Sequence, residues 1–101
     1  MDRPPFIERL AANDPDFLDQ VRPLSNLIMT DGALPAKVKT LMTLLGEALL
    51  RRDEGVRLVA GVARGVGATE DEIRETIRIA YMLGGLPALS AATNAYAAGK
   101  E

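Results

Sequence analysis

The sequence predicts an all-α protein, a single-domain helical bundle of about five to six helices. Helical signals recur along the whole chain, because prolines and capping residues precede apolar side chains spaced three or four residues apart. Strand signals are nearly absent, since no sustained alternation of apolar and polar residues occurs and only 4% of the residues are aromatic. A length of 101 residues, with 48% hydrophobic and 26% charged residues, is typical of one globular domain.

The N-terminal part, residues 1–33, is expected to hold two helices. Pro4-Pro5 begins the first helix, and Asp14-Pro15 supplies the second with an N-cap followed by a proline at the first helical position. Asp31-Gly32 ends the second helix. Pro23 lies inside it and is expected to kink or split it, because proline lacks an N–H and crowds the preceding turn.

The third helix begins the core part, residues 34–101. Pro35 precedes a run of apolar residues at helical spacing, which predicts a core-facing helix. The expected core stripe consists of Val38, Leu41, Met42, Leu45, Ala48 and Leu49. Leu44 falls partly outside that stripe, so this helix is expected to be covered on more than one side.

Two further helices complete the expected core. The fourth begins near Asp53 and carries a stripe of valines that includes Val59, which is expected to pack in the core. Thr69-Glu70-Asp71-Glu72 is a capping box that begins the fifth helix. That helix is expected to break at Gly84-Gly85 and to resume toward Tyr96.

The composition excludes several kinds of chemistry. The chain contains no cysteine and no histidine, which removes the thiolate nucleophile, disulfides and the commonest transition-metal ligands. We therefore expect no metal site and no cofactor. A net charge of -2 offers no electrostatic footprint for nucleic acid.

The chain is expected to be cytoplasmic and not to enter a membrane. The N-terminus lacks the basic start and apolar run of a secretory signal. The stretch 80–99 carries no charged side chain, but Gly84-Gly85 and Pro87 interrupt it. Such a break leaves backbone groups unsatisfied in lipid, so a helix pair buried in protein explains the run better.

Three segments, in order, resemble one known family. Residues 31–39 (DGALPAKVK), residues 67–73 (GATEDEI) and residues 82–88 (MLGGLPA) are similar to the helix entry, the turn and the helix break of carboxymuconolactone decarboxylase-like proteins. With the N-terminal segment 14–18 (DPDFL), the resemblance covers nearly the whole chain. It implies an alkylhydroperoxidase D-like helical fold.

The resemblance also implies where a redox site would lie. Alkylhydroperoxidase D proteins use Cys-x-x-Cys-x-x-x-His with an upstream glutamate. Counting back from the glycine of the GAT turn places the histidine position at Val59, the two cysteine positions at Arg52 and Gly55, and the glutamate position at Thr40. All four residues are replaced, so this chain is expected not to be a thiol peroxidase.

Three charged residues remain candidates for chemistry. Glu47 interrupts the apolar third helix and is interpreted either as a partly buried acid suited to proton transfer or as an exposed residue paired with Arg51. Arg52 and Arg57 are interpreted either as forks that bind a carboxylate substrate or as a solvated face paired with Asp53 and Glu54.

Three uncharged residues also allow two interpretations. Tyr81 and Tyr96 either line a pocket or pack at helix interfaces, and Asn94 either caps an interface or touches a ligand.

The sequence favours a non-catalytic function. We expect a homo-oligomeric binding or structural protein, and the family resemblance implies a hexamer or a trimer. The candidate ligand is a small carboxylate. The first alternative is an enzyme of decarboxylase or lactone type that uses Glu47, Arg52 or Arg57. The second is an adaptor that docks an amphipathic helix between its own helices.

Overall fold

The predicted all-α class is confirmed. The structure, a computed structural model, describes residues 5–96, and that part of the chain contains no strand. It is built from α1 (Pro5–Asn13), α2 (Pro15–Met29), α3 (Ala36–Leu49), α4 (Asp53–Gly65), α5 (Glu70–Ala92) and a short 3-10 helix (Thr93–Ala95). Pro4, expected with Pro5 to begin the first helix, and residues 97–99 of the uncharged run lie outside the described residues.

The chain forms two compact units that divide between Thr30 and Asp31. In the first unit α1 packs against α2. Asp14 caps α2 as predicted, because its Oδ1 accepts a hydrogen bond from the N–H of Phe17 at 3.2 Å.

Pro23 does not divide α2. The helix continues from Pro15 to Met29, so of the two expected outcomes, a kink or a split, the split is wrong. The proline leaves the carbonyl of Asp19 without its usual helical donor. Asp19 and Pro23 are both exposed, so water can satisfy that carbonyl and the helix survives.

The second unit is organised around α3, which packs against α4 and α5. Its buried core consists of Leu44, Ala48, Val56, Ala60, Ala63, Ala68, Ile73, Ile77, Ala80, Ala92 and Ala95. Most of these side chains are alanine methyl groups, which let neighbouring helices approach closely.

The buried face of α3 differs from the predicted stripe. The buried row is Thr40, Leu44 and Ala48, at four-residue spacing. Leu44, expected partly outside the stripe, is only 1% exposed, whereas Met42, expected inside it, is 56% exposed. Because α4 and α5 both pack on α3, the row between those two helices is covered and a flank of the apolar stripe is left open.

Both signals predicted for α5 are confirmed. In the capping box the N–H of Glu72 donates to Thr69 Oγ1 at 3.0 Å, and the N–H of Thr69 donates to Glu72 Oε1 at 2.8 Å. The helix breaks at Gly85, whose φ of 71° favours glycine. No helix within residues 5–96 is long and apolar enough to cross a membrane.

Ion pairs connect the helices of the second unit. The guanidinium of Arg64 donates to both carboxylate oxygens of Glu70, at 2.7 and 3.0 Å, and also to the carbonyl of Ala95 at 2.7 Å. Lys37 Nζ on α3 lies 3.0 Å from Glu72 Oε2 on α5. These contacts hold α4, the 3-10 helix and α3 against α5.

Candidate functional site

The turn between α3 and α4 brings Glu47 and Arg52 together. Arg51 adopts a left-handed conformation with a φ of 58°. Its N–H donates to the carbonyl of Ala48, and the N–H of Arg52 donates to the carbonyl of Glu47, both at 3.0 Å. This is a Schellman motif, which folds Arg52 back over the last turn of α3.

The side chains of Glu47 and Arg52 form the ion pair of this corner. Arg52 Nη1 lies 3.7 Å from Glu47 Oε1. The alternative pairing of Glu47 with Arg51 is wrong, because Arg51 leaves the helix and four-residue spacing no longer applies to it. Glu47 is also not an exposed residue, since its side chain is only 19% exposed.

One oxygen of Glu47 lacks a hydrogen-bond donor. Its Oε2 is buried and accepts no hydrogen bond from any residue in the range 5–96. A buried carboxylate oxygen in that condition is energetically costly unless a proton, a water molecule or a ligand satisfies it. The corner therefore contains an unused acceptor.

Gly55 provides the space for this carboxylate. A Cβ atom built on Gly55 would lie 2.1 Å from Glu47 Oε2 and 2.8 Å from Glu47 Cδ. The carboxylate thus occupies the volume that any side chain at this position would need. The family resemblance places the second thiol at Gly55, so a cysteine there would require the Glu47 carboxylate to move.

The other two positions of the degenerate site are structural. Val59 is partly buried and packs against the core of the second unit. Thr40 is buried, and its hydroxyl donates to the carbonyl of Ala36 in the same helix at 2.8 Å. Thr40 and Glu47 are seven positions apart on α3, which is about 10 Å along the helix axis.

Arg57 is held by other protein groups. Its Nη1 donates to Glu54 Oε2 at 2.8 Å, and its Nη2 donates to Asn94 Oδ1 at 2.9 Å. Asn94 in turn donates through Nδ2 to the carbonyl of Ala91 at 3.0 Å. Asn94 therefore links α4 to the C-terminal end of α5. Arg57 takes no part in the ion pair between Arg52 and Glu47.

The chemistry open to this corner is narrow. The chain has neither a thiol nor an imidazole, and residues 5–96 contain no cluster of three acids that could hold a metal ion. Glu47 supplies a carboxylate, and Arg52 is the adjacent cation. Such a pair can hold a proton or orient a small anion.

A cavity lies on α5, and none of the degenerate positions lines it. Tyr81 and Tyr96 line it, as one reading of the sequence expected, together with two arginines that sequence reasoning missed. The sequence spacing could have indicated this cluster, because Arg74 and Arg78 are four residues apart on the predicted helix and Tyr81 follows three residues later, which places all three on one face.

The fold resembles that of solved structures of other proteins, two of which follow. A carboxymuconolactone decarboxylase family protein from Legionella pneumophila, in its apo form, matches with a TM-score of 0.82 and 24% identity, over 88% of this chain and 80% of that chain. A protein from Burkholderia xenovorans LB400, provisionally named carboxymuconolactone decarboxylase, matches with a TM-score of 0.80 and 24% identity, over 92% of this chain and 77% of that chain. At this identity the two structures support the fold alone.

The sequence itself carries the assignment to a family. No curated protein matches the chain. The profile of the carboxymuconolactone decarboxylase family, in contrast, matches residues 15–98, which include α2, the α3–α4 corner and the break in α5. The chain therefore belongs to the carboxymuconolactone decarboxylase family.

Proposed function

We propose that this protein is a non-catalytic, homo-oligomeric binding or structural member of its family that lacks the redox site. The observation that supports this most is the contact between Glu47 and Gly55, which fills the place of the second thiol with a carboxylate. The first cysteine position is the exposed Arg52, and the histidine position is Val59, which packs against the core.

Peroxide chemistry provides the first test of this proposal. Without a thiol, no sulfenic acid or disulfide can form. Purified, metal-free protein should turn over hydroperoxides no faster than a buffer blank. Catalytic turnover above that blank would contradict the proposal.

Self-association is supported by apolar surface on α3 and α5. A groove of about 170 Å³ between these helices is lined by Val38, Leu41, Met42, Leu45, Thr76 and Ile79. Contiguous apolar surface of this kind usually marks an interface, and closed symmetric assemblies are the common way to cover it. We favour a hexamer over a trimer or dimer because of the family resemblance.

Light scattering tests the assembly directly. At micromolar concentration the mass should be a multiple of the 10.8 kDa chain. A mass near that of one chain, unchanged on concentration, would refute the homo-oligomer.

We also propose that the protein is cytoplasmic, because it has no cysteine and proteins of that compartment usually lack disulfides. We expect its ligand to be a small carboxylate rather than a nucleic acid.

A second candidate function is an enzyme of decarboxylase or lactone type. The unpartnered Oε2 of Glu47 beside Arg52 favours it, because a carboxylate and a guanidinium can move a proton and hold a substrate carboxylate. Arg57 is the weaker candidate, since Glu54 and Asn94 already occupy its guanidinium.

Carbon dioxide release from a panel of small lactone carboxylates distinguishes the two functions. The leading proposal expects no release above the uncatalysed rate. Release that disappears in Glu47→Gln, while the variant keeps its helical circular dichroism, would establish the enzyme instead.

A further inference from the structure

The cavity on α5 has the size and lining of a small-molecule site. Its volume is about 310 Å³, which falls at the lower end of ordinary ligand pockets. It is lined by Arg74, Ile77, Arg78, Tyr81, Leu89 and Tyr96. Four of these residues follow one another on the same face of α5, at spacings of three, one and three residues.

The positive charge of this cavity is only partly compensated. Arg74 and Arg78 are four residues apart on α5, so their like charges face the same side of the helix and repel each other. Arg74 donates a hydrogen bond to Asp71. Arg78 has no hydrogen-bond or ion-pair partner in the part of the chain from Pro5 to Tyr96, which leaves one guanidinium free to hold an anion.

Tyr96, which follows the 3-10 helix, and Arg74 on α5 line the same cavity. The pKa of Arg74 is raised, first because Asp71 accepts its hydrogen bond, and the charge of Glu70 adds to the shift. The aromatic ring and the arginine therefore belong to one cluster by their shared position in the cavity wall.

The remaining walls of the cavity favour a ligand whose body is apolar and flat. Ile77 is buried and Leu89 is partly buried, so both present aliphatic surface to the cavity. Tyr81 and Tyr96 add aromatic rings, which pack well against another ring at an offset or edge-on angle. A ligand that satisfies the whole lining has an aromatic body and a single anionic group.

We propose that this cavity binds a small aromatic carboxylate, with the guanidinium of Arg78 holding the carboxylate group and Tyr81 and Tyr96 contacting the ring. A planar guanidinium matches a carboxylate through two parallel hydrogen bonds. The inference rests on the proposed binding function and places the ligand outside the corner formed by Glu47 and Arg52.

Benzoate is the probe that tests this site. Titration followed by calorimetry should give a dissociation constant of about 1 mM, as expected for so small a ligand. Benzamide, which has the same shape without the charge, should bind about tenfold more weakly. Arg78→Gln should weaken benzoate binding by a similar factor, whereas Arg51→Gln, which removes one positive charge from the exposed α3–α4 turn, should leave it unchanged.

Three results would overturn the inference. One is a loss of benzoate binding in Arg52→Gln but not in Arg78→Gln, which would move the anion to the α3–α4 corner and leave the proposed binding function intact. Another is the absence of any benzoate binding up to about 10 mM. The third is a change in assembly mass in Arg78→Gln, which would assign that arginine to a subunit interface. Light scattering and peroxide turnover of the parent protein test the proposed function independently of benzoate binding.

Discussion

At the scale of single residues, the missing side chain of Gly55 determines what the α3–α4 corner contains. The Glu47 carboxylate lies where a Cβ atom would be, so these two positions constrain each other. Gly61 lies on the same helix, and a Cβ atom there would meet nothing within 4 Å. The two glycines can be compared, because the same substitution replaces a helical glycine at both positions but meets the Glu47 carboxylate at only one. Gly55 lies in the first turn of α4 and Gly61 in its interior, so the gain in helix propensity is larger at Gly61.

Gly61→Ala should stabilise the protein by about 1 kcal/mol through the higher helix propensity of alanine. Gly55→Ala should lose most or all of that gain, because the new methyl group forces the Glu47 carboxylate away from Arg52. Urea denaturation of both variants measures the difference.

The effect of Gly55→Ala should depend on Glu47. In a Glu47→Ala background the contact with the carboxylate disappears and only Arg52 Cβ, at 3.3 Å, remains close, so Gly55→Ala should then be more favourable than it is in the parent chain. Equal stabilisation by both glycine substitutions in the parent chain would show that the carboxylate is not held at Gly55.

At the scale of helices, α3 and α4 end in the same motif but with different residues in its left-handed position. Arg51 follows α3 with a φ of 58°, and Gly67 follows α4 with a φ of 99°. In both turns the next residue donates its N–H to a carbonyl five residues back, from Arg52 to Glu47 and from Ala68 to Ala63. A left-handed conformation costs an ordinary residue about 1–2 kcal/mol but costs glycine almost nothing.

Exchanging these residues should therefore act in opposite directions. Arg51→Gly should stabilise the protein by about 0.5–1 kcal/mol, since the greater freedom of glycine in the unfolded chain offsets part of the gain. Gly67→Ala should destabilise it by about 1 kcal/mol, and no neighbouring atom within 4 Å adds a collision. Shifts of the same sign in urea denaturation would show that the left-handed conformation is not the cause.

The capping box of α5 should make stability depend on pH. The pKa of Glu72 lies below its ordinary value of 4.5, first because the N–H of Thr69 donates to its carboxylate and second because of Lys37. The charged form is thus favoured by folding, so its stabilising contribution is present above the unfolded pKa and is lost as the pH falls through the lower, folded pKa.

Glu72→Gln should accordingly melt below the parent protein at pH 7, and this gap should shrink as the pH falls below about 4.5. Glu75→Gln is the matched control, because Glu75 is exposed on the same helix and has no hydrogen-bond or ion-pair partner in the described range 5–96. Its melting temperature should stay close to that of the parent throughout. A gap for Glu72→Gln that is constant with pH would contradict the linkage.

The helices show which features the sequence could predict. The cap at Asp14, the capping box at Thr69 and the break at Gly85 were all predicted, because each depends on a few neighbouring residues. The buried row of α3 was not, because it depends on where α4 and α5 pack. The partner of Glu47 was also missed, since only the left-handed conformation of Arg51 brings Arg52 back to it.

At the scale of the whole molecule, apolar side chains on α4, at its C-terminal cap and on α5 remain exposed. They are Leu58, Val62, Val66, Ile79, Met82, Leu83 and Leu86. The stretch 80–96 contains no charged side chain, so Met82, Leu83 and Leu86 present apolar surface to water around the break in α5. An area of this kind is the expected core of an interface between copies of the chain, from which charged residues are depleted.

Leu86→Lys should therefore break the assembly. Leu86 is 70% exposed in the single chain, so a lysine there can reach water without disturbing the core, and helical circular dichroism should be retained. In an assembly the same ammonium group would be buried without a partner, which disfavours association. Light scattering should then show a mass that falls toward 10.8 kDa.

Glu75→Lys is the control, because it places the same ammonium group on an exposed, already polar position of α5, and it should keep the parent mass. An assembly that tolerates Leu86→Lys unchanged would place its interface elsewhere and leave the apolar surface around Gly85 without a partner.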